Sequence, residues 1–468
     1  MLNNTNAGWP QKPLSEVVDL NPRLDKSSYR DDLEVSFVPM AAVEAGSGRM
    51  EVSQTKYFAT VKKGYTPFRE GDVLFAKITP CMENGKMAVV PKLSNGLGFG
   101  STEFHVLRPH QGIDPRYVYY FVSSQGFRRE AAHRMTGAVG QKRVPKSFLE
   151  EATIPVPHFD DQQRIVAEIE KQFSRLDEAV ANLKRVKANL KRYKAAVLKA
   201  AVEGKLTKDW RKHHPNVEPA SKLLERILAE RRMKWNGRGK YKEPAKSDTS
   251  TRWPLPTGWD WTSPDQLSQA DTNAICAGPF GTIFKAKDFR PVGVPIIFLR
   301  HVAPGRYLRH KPGFMDEKKW KELFEPYSVF GGELLVTKLG EPPGVCAIYP
   351  EGIGPAMVTP DVIKMSVNPT AILPKLMMHY LNSEIARRFA TGAAFGTTRL
   401  RVTLPIFREM PVPLPPLAEQ EQIIAEVERR LSVIEELEAA VEANLTRADR
   451  LRQAVLNKAF KGTLLTGL

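Results

Sequence analysis

The feature that most constrains this chain is a stretch of more than forty residues, Asp161 to Glu203, with neither proline nor glycine. Alternating steps of four and three from Ile169 give Ile169, Phe173, Leu176, Val180, Leu183, Lys187, Leu190, Lys194, Val197 and Ala201, eight of ten apolar. That spacing keeps one apolar stripe along a helix and is the seam of a coiled coil, not the alternation of a strand. At 1.5 Å per residue the helix is on the order of 60 Å long. It cannot bury its stripe against itself, so it needs a partner helix.

The chain supplies one. Displaced by 258 positions, Gln162-Gln163-Arg164-Ile165-Val166-Ala167-Glu168 meets Gln420-Glu421-Gln422-Ile423-Ile424-Ala425-Glu426, without a gap as far as Gly204 over Gly462. The same seam continues through Val427, Leu431, Ile434, Val441, Leu445, Ala448, Val455 and Ala459, broken at Glu438 and Arg452. The second half of the first helix is basic (Lys184, Arg185, Lys187, Lys191, Arg192, Lys194), and the first half of the second is acidic (Glu426, Glu428, Glu435, Glu436, Glu438). An antiparallel pair sets these blocks face to face, whereas a parallel pair sets the basic block against Arg447, Arg450 and Arg452. Each exposed pair is worth only about 0.2–1 kcal/mol, so charge selects orientation more than it stabilises. An antiparallel pair is expected.

At 468 residues the chain is too long for one core and divides into two or three domains. No run of about 18 apolar residues is present, so no membrane span is expected, and the polar start is not a signal peptide. Cys81, Cys276 and Cys346 show no C-x-x-C spacing, which argues against a disulfide scaffold or a zinc site and fits a reducing, cytoplasmic setting. A net charge of +17 points first to nucleic acid and second to an acidic protein partner.

Residues 1–157 read as a first globular domain of short strands and helices. Val35–Pro39, Asp72–Lys77 and Phe104–Leu107 are strand-like, and a helix is predicted near Tyr117–Arg129. Residues 158–206 form the first long helix. Residues 207–252 hold a short helix around Ala220–Met233 and a basic linker, Asn236 through Ser250, expected to be flexible. Residues 253–413 repeat the first domain's plan, and 414–468 form the second long helix. Gly8-Trp9 is echoed by Gly258-Trp259, Gly71-Asp72-Val73-Leu74 with Lys77 by Gly332-Glu333-Leu334-Leu335 with Lys338, and Thr136-Gly137-Ala138 with Arg143 by Thr391-Gly392-Ala393 with Arg399. The helices are alike and the globular parts diverged, so the rods do a shared job and the domains individually tuned ones.

Each globular domain closes on a proline-rich run: Ile154-Pro155-Val156-Pro157 before Gln162, and Pro413-Leu414-Pro415-Pro416-Leu417-Ala418-Glu419-Gln420 before Ile423. With the Gly-Trp openings and the Thr-Gly turns, these residues make the whole chain resemble the specificity subunits of Type I restriction-modification enzymes. The resemblance implies an α+β fold, with two mixed α/β target-recognition domains joined by two long antiparallel coiled-coil helices in an internal pseudo-twofold repeat. It implies that each domain reads one half of a bipartite, asymmetric site on double-stranded DNA, while the helices set the spacer. It also implies docking of two DNA adenine methyltransferase subunits, restriction/translocase subunits in the full complex, and S-adenosylmethionine on the methyltransferases, with no cofactor or metal in this chain.

Candidate DNA-contacting residues follow from position and side-chain chemistry. Lys77 and Lys338 end matching strands. The turns holding Gln141, Lys142, Arg143 and Thr397, Thr398, Arg399, with Arg401 beyond, place hydrogen-bonding groups on glycine-flexed loops, where Arg can read guanine and Gln adenine. Arg128, Arg129, Arg134, Arg387 and Arg388 are phosphate candidates. Pro155, Pro157, Gln162, Pro413, Pro415, Pro416 and Gln420 are candidates for partner docking, although prolines there also stop one element and start the helix.

Catalytic motifs are missing. Glu341-Pro342-Pro343-Gly344 lacks the amide and the aromatic ring of an adenine methyltransferase site, and Asn84-Gly85-Lys86-Met87 is not a Walker A loop. Gly96-Leu97-Gly98-Phe99-Gly100 reads as a strand turn, and Pro360-Asp361 with Lys364 as a turn and not a nuclease metal site. The expected chain is a non-catalytic DNA-recognition subunit. Alternatives are a self-contained modification or restriction enzyme and a coiled-coil adaptor that does not read DNA.

Overall fold

The computed structural model describes residues 8–138, 140–235, 240–250, 252–279, 288–340, 342–393 and 400–465. The chain forms two compact units, Met1–Arg185 with Val441–Leu468, and Val186–Ala440.

In the first unit one antiparallel sheet orders Val18–Leu20, Phe104–Pro109, Val73–Ala76 and Met87–Val89. The other orders Thr55–Tyr57, Glu34–Val38, Leu97–Gly100 and Thr66–Arg69, and its central pair is parallel. Val73, Leu74, Phe75 and Ala76 are all buried, which is why that strand reads as an unbroken apolar run. The glycine-rich run is a strand packed too tightly for side chains. A Cβ on Gly98 would lie 2.3 Å from the Phe68 ring, and one on Gly100 2.4 Å from the Val38 carbonyl oxygen.

The helix expected over Tyr117–Arg129 is two helices, Pro115–Ser123 and Gln125–His133. Ser124 breaks them in an extended conformation, and its hydroxyl accepts from the Phe127 N–H at 3.4 Å, capping the second. Asp114 caps the first, with Pro115 in its opening turn.

Each long helix runs unbroken for 44 residues, Phe159–Val202 and Leu417–Phe460. In the first unit Ile165, Val166 and Ile169 share one core with Val455, Leu456 and Ala459, and further along Phe173 and Asp177 both meet Arg452. Phe460 packs against Tyr117 and Phe121, each at 5.2 Å, so the second helix completes the first domain's core. Each large apolar side chain buried there contributes about 1.5–3 kcal/mol. That outweighs the Arg452–Asp177 ion pair, worth at most about 1 kcal/mol in so exposed a place.

In the second unit Tyr193 lies beside Arg429 and Arg430, and Thr207 hydrogen-bonds Glu419 at 2.5 Å. Advance along the first helix is retreat along the second, so the pair is antiparallel. Two of the acidic side chains in the charge argument for that orientation have other partners. Glu426 is held by Arg429 and Arg430 of its own helix, and Glu428 by Lys375 at 2.7 Å. Partners three or four residues away require less ordering than partners across the seam. Among the seam positions, Ile169, Leu190, Val197, Val427, Ile434, Val441 and Val455 are buried, whereas Phe173, Leu176, Val180, Leu183, Leu431 and Leu445 are half-buried.

The second unit repeats the first unit's sheets. Ile275–Ala277, Val362–Met365, Leu334–Thr337 and Cys346–Ile348 take the same order. In the other sheet Val294–Ile297 and Ala356–Val358 again form the parallel pair, and Phe289–Arg290 is an added edge strand. The short helix Ala220–Met233 is where it was expected. The linker is not wholly free. Residues 236–239 lie outside the described set, but the Ala245 N–H donates to Asp265 Oδ2 at 2.8 Å, and Ser247 Oγ donates to the carbonyls of Thr262 and Met410. Short polar side chains satisfy the domain's own backbone here, which composition does not reveal.

Candidate nucleic-acid interface

In the first unit two loops converge at one end of the four-stranded sheet that holds Val73–Ala76. Lys77, half-buried, donates its N–H to the Glu103 carbonyl at 2.9 Å, and its own carbonyl accepts from Val144 at 2.8 Å. Thr136 and Arg143 exchange both backbone hydrogen bonds, at 3.0 and 2.8 Å, and so close a loop. Ala138, Gly140, Gln141 and Lys142 stand exposed on it. Gly140 has φ +85°, a left-handed turn that glycine adopts without strain. Thr79 fastens the loop by donating its N–H and hydroxyl to the Lys142 carbonyl, at 3.0 and 3.2 Å.

Arg143 does not stand free on that loop. Its guanidinium grips Glu103 with two hydrogen bonds, at 2.9 and 2.8 Å. The Arg143 hydrogen bond holds the Glu103 carboxyl below its ordinary value, despite partial burial. A forked, charge-assisted pair of this kind fixes the loop's base and leaves Gln141 and Lys142 as its outward groups.

The second unit carries the same edge. The Lys338 N–H donates to the Asp361 carbonyl at 2.8 Å, and its carbonyl accepts from Val402 at 3.0 Å. Arg401 stands 3.6 Å from the Asp361 carboxylate. Asp361 thus takes the place of Glu103, and Arg401 that of Arg143. Thr397, Thr398 and Arg399 lie outside the described residues. Lys338 is only 5% exposed, and burial first, then Arg401, lowers its ammonium against the pull of Asp361. It is not the exposed strand-end cation that its sequence position implied.

The arginine candidates separate in the same way. Arg129 and Arg134 are exposed, and Arg388 is exposed but paired with Glu384. Arg128 is half-buried and donates to the Ser123 and Glu83 carbonyls, at 3.0 and 2.7 Å, so it braces the loop at Gly85. Arg387 is half-buried too, and burial lowers its guanidinium.

The residues singled out for docking lie inside. Pro155, Pro157, Pro413, Pro415 and Pro416 are buried, as are Gln162 and Gln420, at 1% and 0% exposure. Gln162 accepts from the Asp114 N–H and donates to the Gly112 and Pro157 carbonyls. Gln420 does the same with Leu373, Ala371 and Pro415. Each glutamine ties its domain to the first turn of a long helix, so neither presents a surface to another protein.

Arg300, Arg306, Arg309 and Lys311 were not singled out from the sequence. All four are exposed on or beside the hairpin Val302–Ala303 and Arg306–Tyr307. The available signal was the lack of any carboxylate between Asp288 and Asp316. Among the described residues no cluster of His, Cys, Asp and Glu is placed to hold a metal ion, and no helix is long and apolar enough to cross a membrane.

A family model described as the Type I restriction modification DNA specificity domain matches residues 6–192. The EcoAI specificity subunit of Escherichia coli is 29% identical, over 96% of this chain and 82% of its own. The EcoEI specificity subunit, also of Escherichia coli, is 27% identical, over 96% and 83%. Among solved structures, a chain of a type I R-M system studied for its complex assembly and conformational transition superposes with a TM-score of 0.69 at 20% identity, covering 99% of this chain and 100% of that one. The HsdS subunit from Thermoanaerobacter tengcongensis gives 0.56 at 17% identity, over 98% of each. With a sheet plan repeated in two diverged units and two matched antiparallel helices, the chain is similar along nearly its whole length to Type I restriction-modification specificity subunits.

Proposed function

We propose that this chain is the DNA-reading and scaffolding component of a methyltransferase and restriction complex and performs no chemistry itself. Each globular domain reads one half of a bipartite, asymmetric site on double-stranded DNA, and the length of the paired helices sets the spacer. The helices also dock two methyltransferase subunits, which bind S-adenosylmethionine, and the complex recruits restriction/translocase subunits in the cytoplasm.

The observation that carries this reading is the matched loop edge. In each domain the same backbone bonds frame a strand-end lysine, and an arginine nearby faces a carboxylate, Arg143 with Glu103 and Arg401 with Asp361. The frame is kept while the residues on it differ, which is what two readers of unlike half-sites require. Gln141 and Lys142 on the first loop, with Arg129 on the neighbouring helix and Arg134 just past its end, supply base-edge and phosphate contacts respectively.

The test is to map methylated adenines in cells with and without this chain, and with residues 137–142 exchanged for those of another subunit. One altered half-site at unchanged spacing is the expected result. An unaltered target after the exchange overturns the reading of this loop. Absence of any methylation that depends on the chain overturns the function.

A further inference from the structure

We infer that the hairpin of the second domain is a duplex-backbone contact that the first domain lacks. This rests on the DNA-reading proposed above and adds a surface to it.

The two domains build the same element with opposite charge. In the first, a turn at Met40–Ala42 leads to a hairpin closed by Val43 opposite Met50. In the second, Leu299–His301 leads to a hairpin closed by Val302 opposite Tyr307. Both tips dock alike on their own sheet, Gly46 N–H to the Gly85 carbonyl at 3.0 Å and Gly305 N–H to the Cys346 carbonyl at 2.9 Å. From Met40 to Glu51 the charged residues are Glu44, Arg49 and Glu51, net −1. From Arg300 to Lys311 they are Arg300, Arg306, Arg309 and Lys311 with no acid, net +4 with histidines neutral.

These cations are exposed, and among the described residues none has a carboxylate within ion-pairing distance. Four uncompensated charges on one short hairpin repel one another, and a partner with closely spaced negative charge relieves that repulsion. Part of the surface is already fixed in shape. The Arg300 guanidinium lies 4.3 Å from the centre of the Phe298 ring and donates to the Lys311 carbonyl at 3.2 Å, while the Phe289 ring lies parallel to that of Phe298 at 6.1 Å. The ring face holds the guanidinium plane, one Nη is spent on the Lys311 carbonyl, and the remaining N–H groups stay available to phosphate oxygens.

Position favours DNA over an acidic protein. Cys346, where the hairpin tip docks, pairs with Val336, two residues before Lys338. The basic hairpin and the Lys338–Arg401 edge therefore share one end of one sheet, and a duplex reaching that edge reaches the hairpin as well.

The experiment uses the complex of this chain with its methyltransferase subunits, comparing the Arg306→Ala/Arg309→Ala double variant with wild type on a specific and a non-specific duplex over a range of salt. If each arginine neutralises one phosphate, the slope of log K against log salt falls by about 2, and affinity drops on both duplexes alike with the methylated sequence unchanged. Arg306→Lys/Arg309→Lys keeps the charge and most of the slope, and Arg49→Ala in the first domain leaves the slope as in wild type. A wild-type slope in the double alanine variant overturns the inference while leaving DNA reading intact. A variant that binds DNA normally but no longer assembles assigns the hairpin to a protein partner and also overturns it. No DNA binding by the wild-type complex overturns both readings.

Discussion

Gln162 and Gln420 show what one amide can hold. Each satisfies three backbone groups inside the protein, where an unmet donor or acceptor costs about 1–3 kcal/mol. Gln162→Leu is therefore expected to lower stability by roughly 3 kcal/mol in urea unfolding, through the three groups it strands. His379 sets a pH limit in the second unit. It is 7% exposed, and burial brings its imidazole down to about 4, with Lys375 and Lys194 pushing the same way and Glu428 opposing. The unfolded chain takes up a proton at ordinary histidine pH while the folded one does not, so stability is full above about pH 6.5 and falls as pH drops toward 4. The effect is at most about 3 kcal/mol, and thermal unfolding of His379→Gln should be flatter across that window than wild type. His301, also brought down to about 4 by burial, leaves a remainder. Neither role was visible beforehand: a buried amide and a surface amide are the same letter, and Gln162 was read as a docking residue.

Among the elements, the long helices were the most legible. A four-three rhythm over ten positions, eight of them apolar, has only one geometry that buries it. The break at Ser124 was missed because the apolar rhythm continues on both sides of it, although serine before a helix start is a capping signal. Arg401 was missed as the counterpart of Arg143 for a different reason. Aligning the Thr-Gly-Ala triplets, of which Thr391-Gly392-Ala393 ends the helix Glu384–Ala393 and is no turn, displaces the far side, whereas Glu103 to Asp361 and Arg143 to Arg401 both keep the helices' offset of 258. Strand pairing fixes that arginine's place, while the sequence before it is free to differ in length. At this scale the helices carry their own prediction. Inserting one turn, of four residues, into both at matched positions should change the spacer of the methylated site and leave each half-site unaltered. Adenine mapping that returns the original spacer would refute the helices as the measure of that distance.

For the molecule as a whole, the net charge of +17 said that a polyanion was a fitting partner but not where it binds. Several of the cations counted toward it are spent internally: Arg143 on Glu103, Arg108 on Asp72, Arg128 on carbonyls. The exposed remainder includes Arg300, Arg306, Arg309 and Lys311, in a stretch that no acid interrupts. Exchanging residues 1–157 for the corresponding part of a relative should change one half-site only, read again by mapping methylated adenines. The core of the first domain adds a constraint of another kind. Val455, Leu456, Ala459 and Phe460 close that core, yet they leave the ribosome only after the entire second domain has been made. The first domain must wait, its apolar face open, through most of translation, so chains stalled before residue 455 should be the ones that chaperones retain and proteases remove.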